Sequence, residues 1–339
     1  MKAAMYYKGE KYLRMEEVPT PEPGPGEVLI KVAACGVCHT DLHYLDHGTP
    51  TFMEPPFILG HEISGTVEVL GDGAKGFQIG DPVIIPAVLT CGACEACRLG
   101  RENICYNMRM LGNHMNGGYA EYVAVPTKDL IPVPAHLPLA DCSIIADALS
   151  TPYHAVVNRG EVRPGHTVAV FGCGGVGINV VQFAALAGAK VIAIDLQDEK
   201  LELAKKLGAA EVVNAREEKL TKVIRKKTGG CDVAFEAIGK PAVMLQAMSV
   251  LNPGGRFVMV GYSPDEIALP AGRIMFREME IRGSLGCRPV DYHRIVSLVD
   301  QGKIALDTII SNRYPLDEIN QAFDDLRQDK PVIRNLVIP

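Results

Sequence analysis

From about Gly165 the chain reads as apolar strand, glycine turn, long helix and apolar strand: HTVAVFGCGGVG, INVVQFAALAGA, KVIAIDL. An apolar run followed at once by a helical run and a second strand is the βαβ alternation of a parallel sheet covered by helices. The pattern continues through DEKLELAKKLGA, EVVNA, CDVAFEAIG, a helix around Ala242 to Leu251, the strand GRFVMVG and a strand in EIRGSLG. The middle of the chain is therefore expected to be an α/β domain with a doubly wound parallel sheet.

The turn Gly172-Cys173-Gly174-Gly175-Val176-Gly177 lies directly between a strand and a helix, and in that setting GxGxxG reads as a dinucleotide-binding fingerprint. Gly172 allows the tight turn, Gly174 lets the backbone approach a pyrophosphate, and Gly177 lets helix and strand pack closely. The helix start adds unpaired N–H groups for the phosphates, and Gly175 and Val176 complete the cofactor-binding turn. Asp195 ends the next strand, 18 residues past Gly177. A carboxylate there accepts hydrogen bonds from an adenosine ribose and repels a 2′-phosphate. Leu196 and Gln197 offer no arginine, so NAD is expected over NADP. The competing reading is a surface aspartate beside a glycine turn that binds nothing.

The first ~150 residues differ in texture, with short β-like runs such as GEVLIKVAACGV, ISGTVEVLG, DPVIIPAV and GYAEYVAVP punctuated by Gly and Pro. They suit a compact, barrel-like, mostly antiparallel domain. Within it, Cys91, Cys94 and Cys97 are spaced as CxxCxxC, and Cys105 follows after seven residues. Four thiolates close a tetrahedral zinc shell and leave no position for substrate, so this zinc would be structural. Buried thiols or an iron–sulfur cluster are the alternatives. A second group, Cys38-His39-Thr40-Asp41-Leu42-His43 with Gly60-His61-Glu62, combines a thiolate and an imidazole, as an open catalytic zinc requires. Cys35 also makes a CxxC with Cys38, but a redox pair is expected beside βαβ units, and this one follows a strand of the β-rich half.

With 339 residues and 47% hydrophobic content, the chain has material for two cores. Its net charge of −6 and lack of a lysine/arginine block argue against nucleic acid as a partner. No stretch reaches the ~20 apolar residues of a membrane span, and charges interrupt the N-terminal segment, so no membrane association and a cytoplasmic location are expected. Ten cysteines in such a chain read as metal binding or catalysis rather than disulfides.

Taken together, GVCHTDLH, GHE, the four-cysteine lobe, NGGYAEY, the glycine fingerprint, CDVAFEAIG and INQAFDDL resemble the zinc-containing medium-chain dehydrogenase/reductase family over essentially the whole chain. The resemblance implies a GroES-like catalytic domain over 1–148 and 286–339, interrupted by a Rossmann domain over 149–285. It implies two zinc ions per chain, NAD, a small alcohol or carbonyl substrate, and a homo-oligomer, dimer or tetramer. Cys38 and His61 resemble catalytic zinc ligands, with Glu62 as an exchanging ligand. Asp147 stands where many relatives carry a cysteine, and Cys142 is the other candidate in reach. Thr40 and His43 match the proton relay. Thr151 matches a position beside the nicotinamide, Lys200 one near the ribose and Arg334 one near the pyrophosphate. Ile238 and Gly261 fall at further cofactor-binding positions. The implied activity is zinc-dependent, reversible hydride transfer between a primary, secondary or cyclic alcohol and NAD. The rivals are a polyol or amino-alcohol dehydrogenase, a zinc-free quinone reductase, and a non-catalytic nucleotide-binding protein on the same fold.

Overall fold

The computed structural model describes residues 1–328 and 330–339. It contains two compact units, Met1–Ser150 with Gly286–Pro339, and Thr151–Leu285. Among the described residues, no helix is long and apolar enough to cross a membrane.

The first unit is built on a seven-stranded sheet. Its strands run in the order Ile131–Pro132, Pro82–Ile85, Glu62–Leu70, Glu27–Val37, Arg334–Ile338 and Ile310–Pro315, and Tyr122–Pro126 also pairs with Glu27–Val37. Most pairings are antiparallel, as the sequence pattern of the first ~150 residues leads one to expect, and the parallel pair is formed by the two strands of the C-terminal segment where it joins the sheet. The core packs Ile30, Phe57, Ile63, Tyr119 and Phe323, all essentially inaccessible. Each such side chain contributes roughly 1.5–3 kcal/mol by leaving water. The helix Ile319–Arg327 supplies Phe323 by presenting Ile319, Ala322, Phe323 and Leu326 along one stripe.

Register in this sheet sets the position of the chemistry. Gly36 pairs with Glu62 on one side and Leu336 on the other, so the end of the long strand Glu27–Val37 lies beside both the GHE segment and the C-terminal strand. A Cβ on Gly36 would sit 2.0 Å from a Glu62 carboxylate oxygen, so only glycine lets the strands close over that acid. The helix His39–His47 starts directly after this strand, with Cys38 as its N-cap, and ends at Gly48, whose φ of 62° makes the left-handed cap.

The second unit is a six-stranded, wholly parallel sheet ordered Glu211–Asn214, Lys190–Asp195, Thr167–Phe171, Cys231–Glu236, Leu251–Met259 and Glu280–Gly283. In chain order this is 3-2-1-4-5-6, the doubly wound Rossmann arrangement. Strand order reverses between Thr167–Phe171 and Cys231–Glu236, where Phe171 stands opposite Glu236 at the carboxyl ends. The glycine turn leaves the sheet at that end.

Candidate active site and cofactor turn

Three segments of the first unit bring metal-ligand atoms together. Cys38 comes from the strand-to-helix junction, His61 and Glu62 from the start of a neighbouring strand, and Asp147 from the end of the 3-10 helix Asp141–Ala146. One donor atom from each of Cys38, His61, Glu62 and Asp147 lies within 4.8 Å of the others. The Cys38 Sγ is 3.9 Å and the His61 Nε2 is 3.7 Å from the Asp147 Oδ2. Tetrahedral zinc with bonds of ~2.0–2.3 Å separates its ligands by roughly 3.3–3.8 Å, so the three groups fit the ion. The chemistry of the atoms also fits, because both His61 ring nitrogens and both Glu62 oxygens are buried without a protein hydrogen bond. Unpaired groups of this kind cost ~1–3 kcal/mol each unless something else satisfies them.

A set of buried groups surrounds these donors. Asp41, fully buried, accepts a hydrogen bond from the Tyr119 hydroxyl at 2.8 Å and one from the Cys38 backbone N–H at 3.3 Å. Its Oδ1 lies 3.5 Å from the His61 Nδ1, the nitrogen that faces away from Asp147. Burial alone would lower the imidazole pKa, but the Asp41 charge, Asp147 and Cys38 outweigh it and hold His61 well above the usual histidine range. Burial pushes the Glu62 carboxyl up to about 7, against the pull of the Arg334 guanidinium 3.3 Å away. Arg334 is itself buried and donates to the Val37 carbonyl at 2.9 Å. On the helix that begins after Cys38, Thr40 places its Oγ1 3.6 Å from the Cys38 Sγ. His43, three residues further on the same helical face, is half-buried. Burial and the neighbouring His47 lower its pKa below 6.5.

The four-cysteine lobe forms a second donor cluster. Strands Val88–Leu89 and Arg109–Met110 pair at its base, and the short helix Glu95–Arg98 carries Cys97. Sulfur separations are 3.4 Å for Cys91 and Cys105, 3.5 Å for Cys94 and Cys97, 3.8 Å for Cys94 and Cys105, and 3.9 Å for Cys91 and Cys97. All four cysteines are unbridged, and the spacings match a zinc tetrahedron with bonds of ~2.3 Å. The thiols differ sharply in acidity. N–H donors from Ala93 and Cys94 bring Cys91 down to about 6, while burial pushes Cys97 up to about 12. Four thiolates at this separation repel one another, and a divalent cation at their centre removes that cost.

In the second unit two of the fingerprint glycines, Gly172 and Gly177, are required by the backbone itself, and a third, Gly174, faces open space. Gly172 has φ of 90°, Gly174 has nothing within 4 Å of where a Cβ would stand, and a Cβ on Gly177 would meet the Gly172 carbonyl oxygen at 1.7 Å. Asp195 is turned back toward the loop. Its carboxylate accepts the Cys173 N–H at 2.7 Å and the Gln197 N–H at 3.0 Å, which fixes the acid beside the start of helix Gly177–Leu186.

Comparison with known proteins agrees with this geometry. The "Alcohol dehydrogenase GroES-like domain" family matches residues 24–135, and the "Zinc-binding dehydrogenase" family matches residues 175–301. An alcohol dehydrogenase of Geobacillus stearothermophilus is 37% identical over 325 residues, covering 96% of this chain and 95% of that protein. This chain belongs to the zinc-containing medium-chain dehydrogenase family. An L-threonine 3-dehydrogenase of Chelativorans sp. (strain BNC1) is 34% identical, with 96% of each chain covered. Among solved structures, a zinc-binding dehydrogenase from Sinorhizobium meliloti 1021 bound to NADP superposes with a TM-score of 0.91 at 34% identity, covering 100% of this chain and 99% of the other. The dehydrogenase is thus an oxidoreductase of a family that uses zinc and NAD(P).

The dehydrogenase fold brings some of the residues singled out by sequence together and distributes others. Cys38, Thr40, His61, Glu62 and Asp147 share one neighbourhood, as do Cys91, Cys94, Cys97 and Cys105. Arg334 sits in the first unit against Glu62, whereas Gly172, Gly174, Gly175, Val176, Gly177, Asp195, Lys200, Ile238 and Gly261 belong to the second unit, as does Thr151 at its first position. Cys142 is a fully buried thiol, raised to about 12 by burial, and is not one of the grouped donors. Sequence reasoning passed over Asp41 and Tyr119. The available signal was an acid three residues after the N-cap Cys38, the position from which a side chain reaches back to the cap N–H.

Two outcomes follow for the dehydrogenase. Cys97→Ser should release one zinc per chain and lower Tm by more than about 5 °C, measured by metal analysis and calorimetry, because a structural zinc contributes folding energy directly. Asp41→Asn, which weakens the acceptor facing His61, should reduce catalytic-zinc affinity or turnover by about 10–100-fold while Tm changes little. An unchanged zinc affinity and rate in Asp41→Asn would remove Asp41 from the site.

Proposed function

We propose that the chain is an NAD-dependent zinc alcohol dehydrogenase in which Cys38, His61 and Asp147 hold the catalytic zinc and Cys91, Cys94, Cys97 and Cys105 hold a structural one. The observation that carries this reading is the convergence of a buried thiol, a buried imidazole and a partly buried carboxylate with metal-ligand spacing. Zinc held there would supply Lewis-acid polarisation of an alcohol or carbonyl oxygen, and a bound nicotinamide would supply the hydride acceptor or donor. Glu62 stands beside the donors, and Arg334 balances its charge. Thr40, next to Cys38, accepts the hydroxyl proton at its Oγ1 as it passes its own proton on toward His43. His43, one helical turn further, exchanges that proton with solvent, and its lowered pKa keeps it neutral and able to accept at neutral pH.

The glycine turn and Asp195 support NAD as the preferred nucleotide. Asp195 puts a negative charge where NADP carries a 2′-phosphate, although a 34% identical relative was solved with NADP. Thr151, Ile238, Gly261 and Lys200 are proposed to complete the cofactor contacts. A primary, secondary or cyclic alcohol is the proposed substrate. An amino alcohol is the second reading, favoured by threonine dehydrogenases of almost the same length and similarity.

A cytoplasmic setting is proposed from the cysteine spacing, which in a chain of this size suits metal binding better than a disulfide framework. A homo-oligomer is supported by the edge strand Glu280–Gly283 and by Met275 and Phe276, which stand 66% and 85% exposed on a helix with no buried residue.

Steady-state NADH formation with a panel of simple, cyclic and amino alcohols, and NADP as control, tests the reading. Turnover with NAD should vanish in Cys38→Ser while the far-UV spectrum stays that of the parent. The kcat should fall as pH drops through a value below 6.5, where His43 takes up its proton, and His43→Ala should lose that acid limb and slow turnover about 10–100-fold. Full turnover in Cys38→Ser contradicts the assignment.

A further inference from the structure

At the carboxyl end of the parallel sheet, one buried acid holds two loops together. Glu236, the last residue of strand Cys231–Glu236, is fully buried and has no basic partner within ion-pair distance among the described residues. Its carboxylate instead accepts backbone N–H groups of the loop that follows: Ile238 at 2.9 Å and Gly239 at 2.8 Å on Oε1, with Gly239 also 3.1 Å from Oε2. Its own carbonyl oxygen accepts N–H groups from the next strand end, Val260 and Gly261, both at 2.9 Å. One residue therefore binds the loop after its own strand through its side chain and the loop after the adjacent strand through its backbone.

The two loops are in contact as well. A Cβ on Gly261 would lie 2.2 Å from the Gly239 nitrogen and 2.8 Å from the Glu236 Oε2, and a Cβ on Gly239 would lie 1.9 Å from the Tyr262 carbonyl oxygen. Ile238, held by Glu236 through its N–H, extends over the glycine fingerprint, where a Cβ on Gly172 would meet its Cγ1 at 2.5 Å. Yet Ile238 remains 44% exposed. A large apolar side chain, fixed in the backbone but open to solvent at the carboxyl end of a doubly wound sheet, is placed to meet a flat ligand face.

We infer that Glu236 is a positioning residue for the nicotinamide dinucleotide: its carboxylate fixes the 237–240 turn so that Ile238 stands over Gly172 as a preformed wall of the cofactor site. Burying an acid solely to bind backbone N–H groups is expensive unless its geometry is used. What it secures here is the middle of a turn whose ends are anchored separately, the Ala237 N–H on the Phe171 carbonyl and the Lys240 carbonyl at the start of helix Pro241–Ser249. Preorganisation of this kind lowers the ordering cost of binding and leaves the chemical step unchanged.

This inference rests on the NAD reading above, and NADH titration of the zinc-loaded protein, followed by nucleotide fluorescence, separates the two. Failure of the parent to bind any nicotinamide nucleotide overturns the cofactor reading and the inference with it. With a binding parent, Glu236→Gln retains the shape but removes one acceptor oxygen. Its NADH Kd and NAD KM should rise about 5- to 20-fold, while kcat at saturating NAD, the alcohol KM and Tm stay near parent values. Ile238→Ala should give a similar loss, and the double variant should lose little more than either single variant, since both act on the same wall. Unchanged NADH affinity in Glu236→Gln overturns the inference. So does a loss that appears equally in Tm, alcohol KM and kcat, as a purely structural acid would give, or full additivity of the two substitutions.

Discussion

Much of the first unit is arranged so that a thiol and a carboxylate 109 residues apart can share a buried space with an imidazole. The imidazole is taken fully out of water and the thiol nearly so, and the surrounding structure must provide both the position and the compensation. Position comes from the sheet register that sets Gly36 against Glu62 and Leu336, and from the helix that starts at Cys38. Compensation comes from Asp41 behind His61 and from Arg334 beside Glu62. The C-terminal strand, remote in sequence, is tied to the site because it delivers that buried guanidinium.

The same economy of backbone positions governs the second unit. Two fingerprint glycines are needed for different reasons, Gly172 for its positive φ and Gly177 for a contact that no side chain tolerates, while Gly174 leaves open space beside the turn. Asp195 and Glu236 are the acids at the ends of strands Lys190–Asp195 and Cys231–Glu236, and both spend their carboxylates on backbone N–H groups of nearby loops. The loops at the carboxyl edge of the sheet are thereby tied by local hydrogen bonds.

How much of this was legible in the sequence depended on how local the signal was. The glycine turn and the four-cysteine lobe each sit within a short run of consecutive residues, and the Rossmann alternation repeats a local strand–helix pattern, so their physical reasons are written in the spacing. Asp147 was reached only through resemblance, since nothing around IIADALS marks an acid as a metal ligand. Asp41, Tyr119 and Glu236 were missed because their roles come from tertiary burial. In sequence Tyr119 and Glu236 are an ordinary tyrosine and acid, and the spacing of Asp41 from Cys38 signals a helix cap but not a partner for His61; only the fold removes their water and supplies those partners. Arg334 was expected near a pyrophosphate, and the observed ion pair with Glu62 adds a contact that the linear sequence does not announce, because the two residues are brought together by flanking strands of the same sheet.

The central claim is that Cys38, His61 and Asp147 form a zinc site separate from the cysteine lobe. Anomalous X-ray diffraction collected on both sides of the zinc absorption edge, from crystals grown without chelator, tests it most directly. The account predicts two zinc peaks per chain, one within ~2.0–2.3 Å of the Cys38 Sγ, the His61 Nε2 and an Asp147 oxygen, and one among Cys91, Cys94, Cys97 and Cys105. A single peak confined to the cysteine lobe, with the Cys38 site empty under zinc excess, would contradict it.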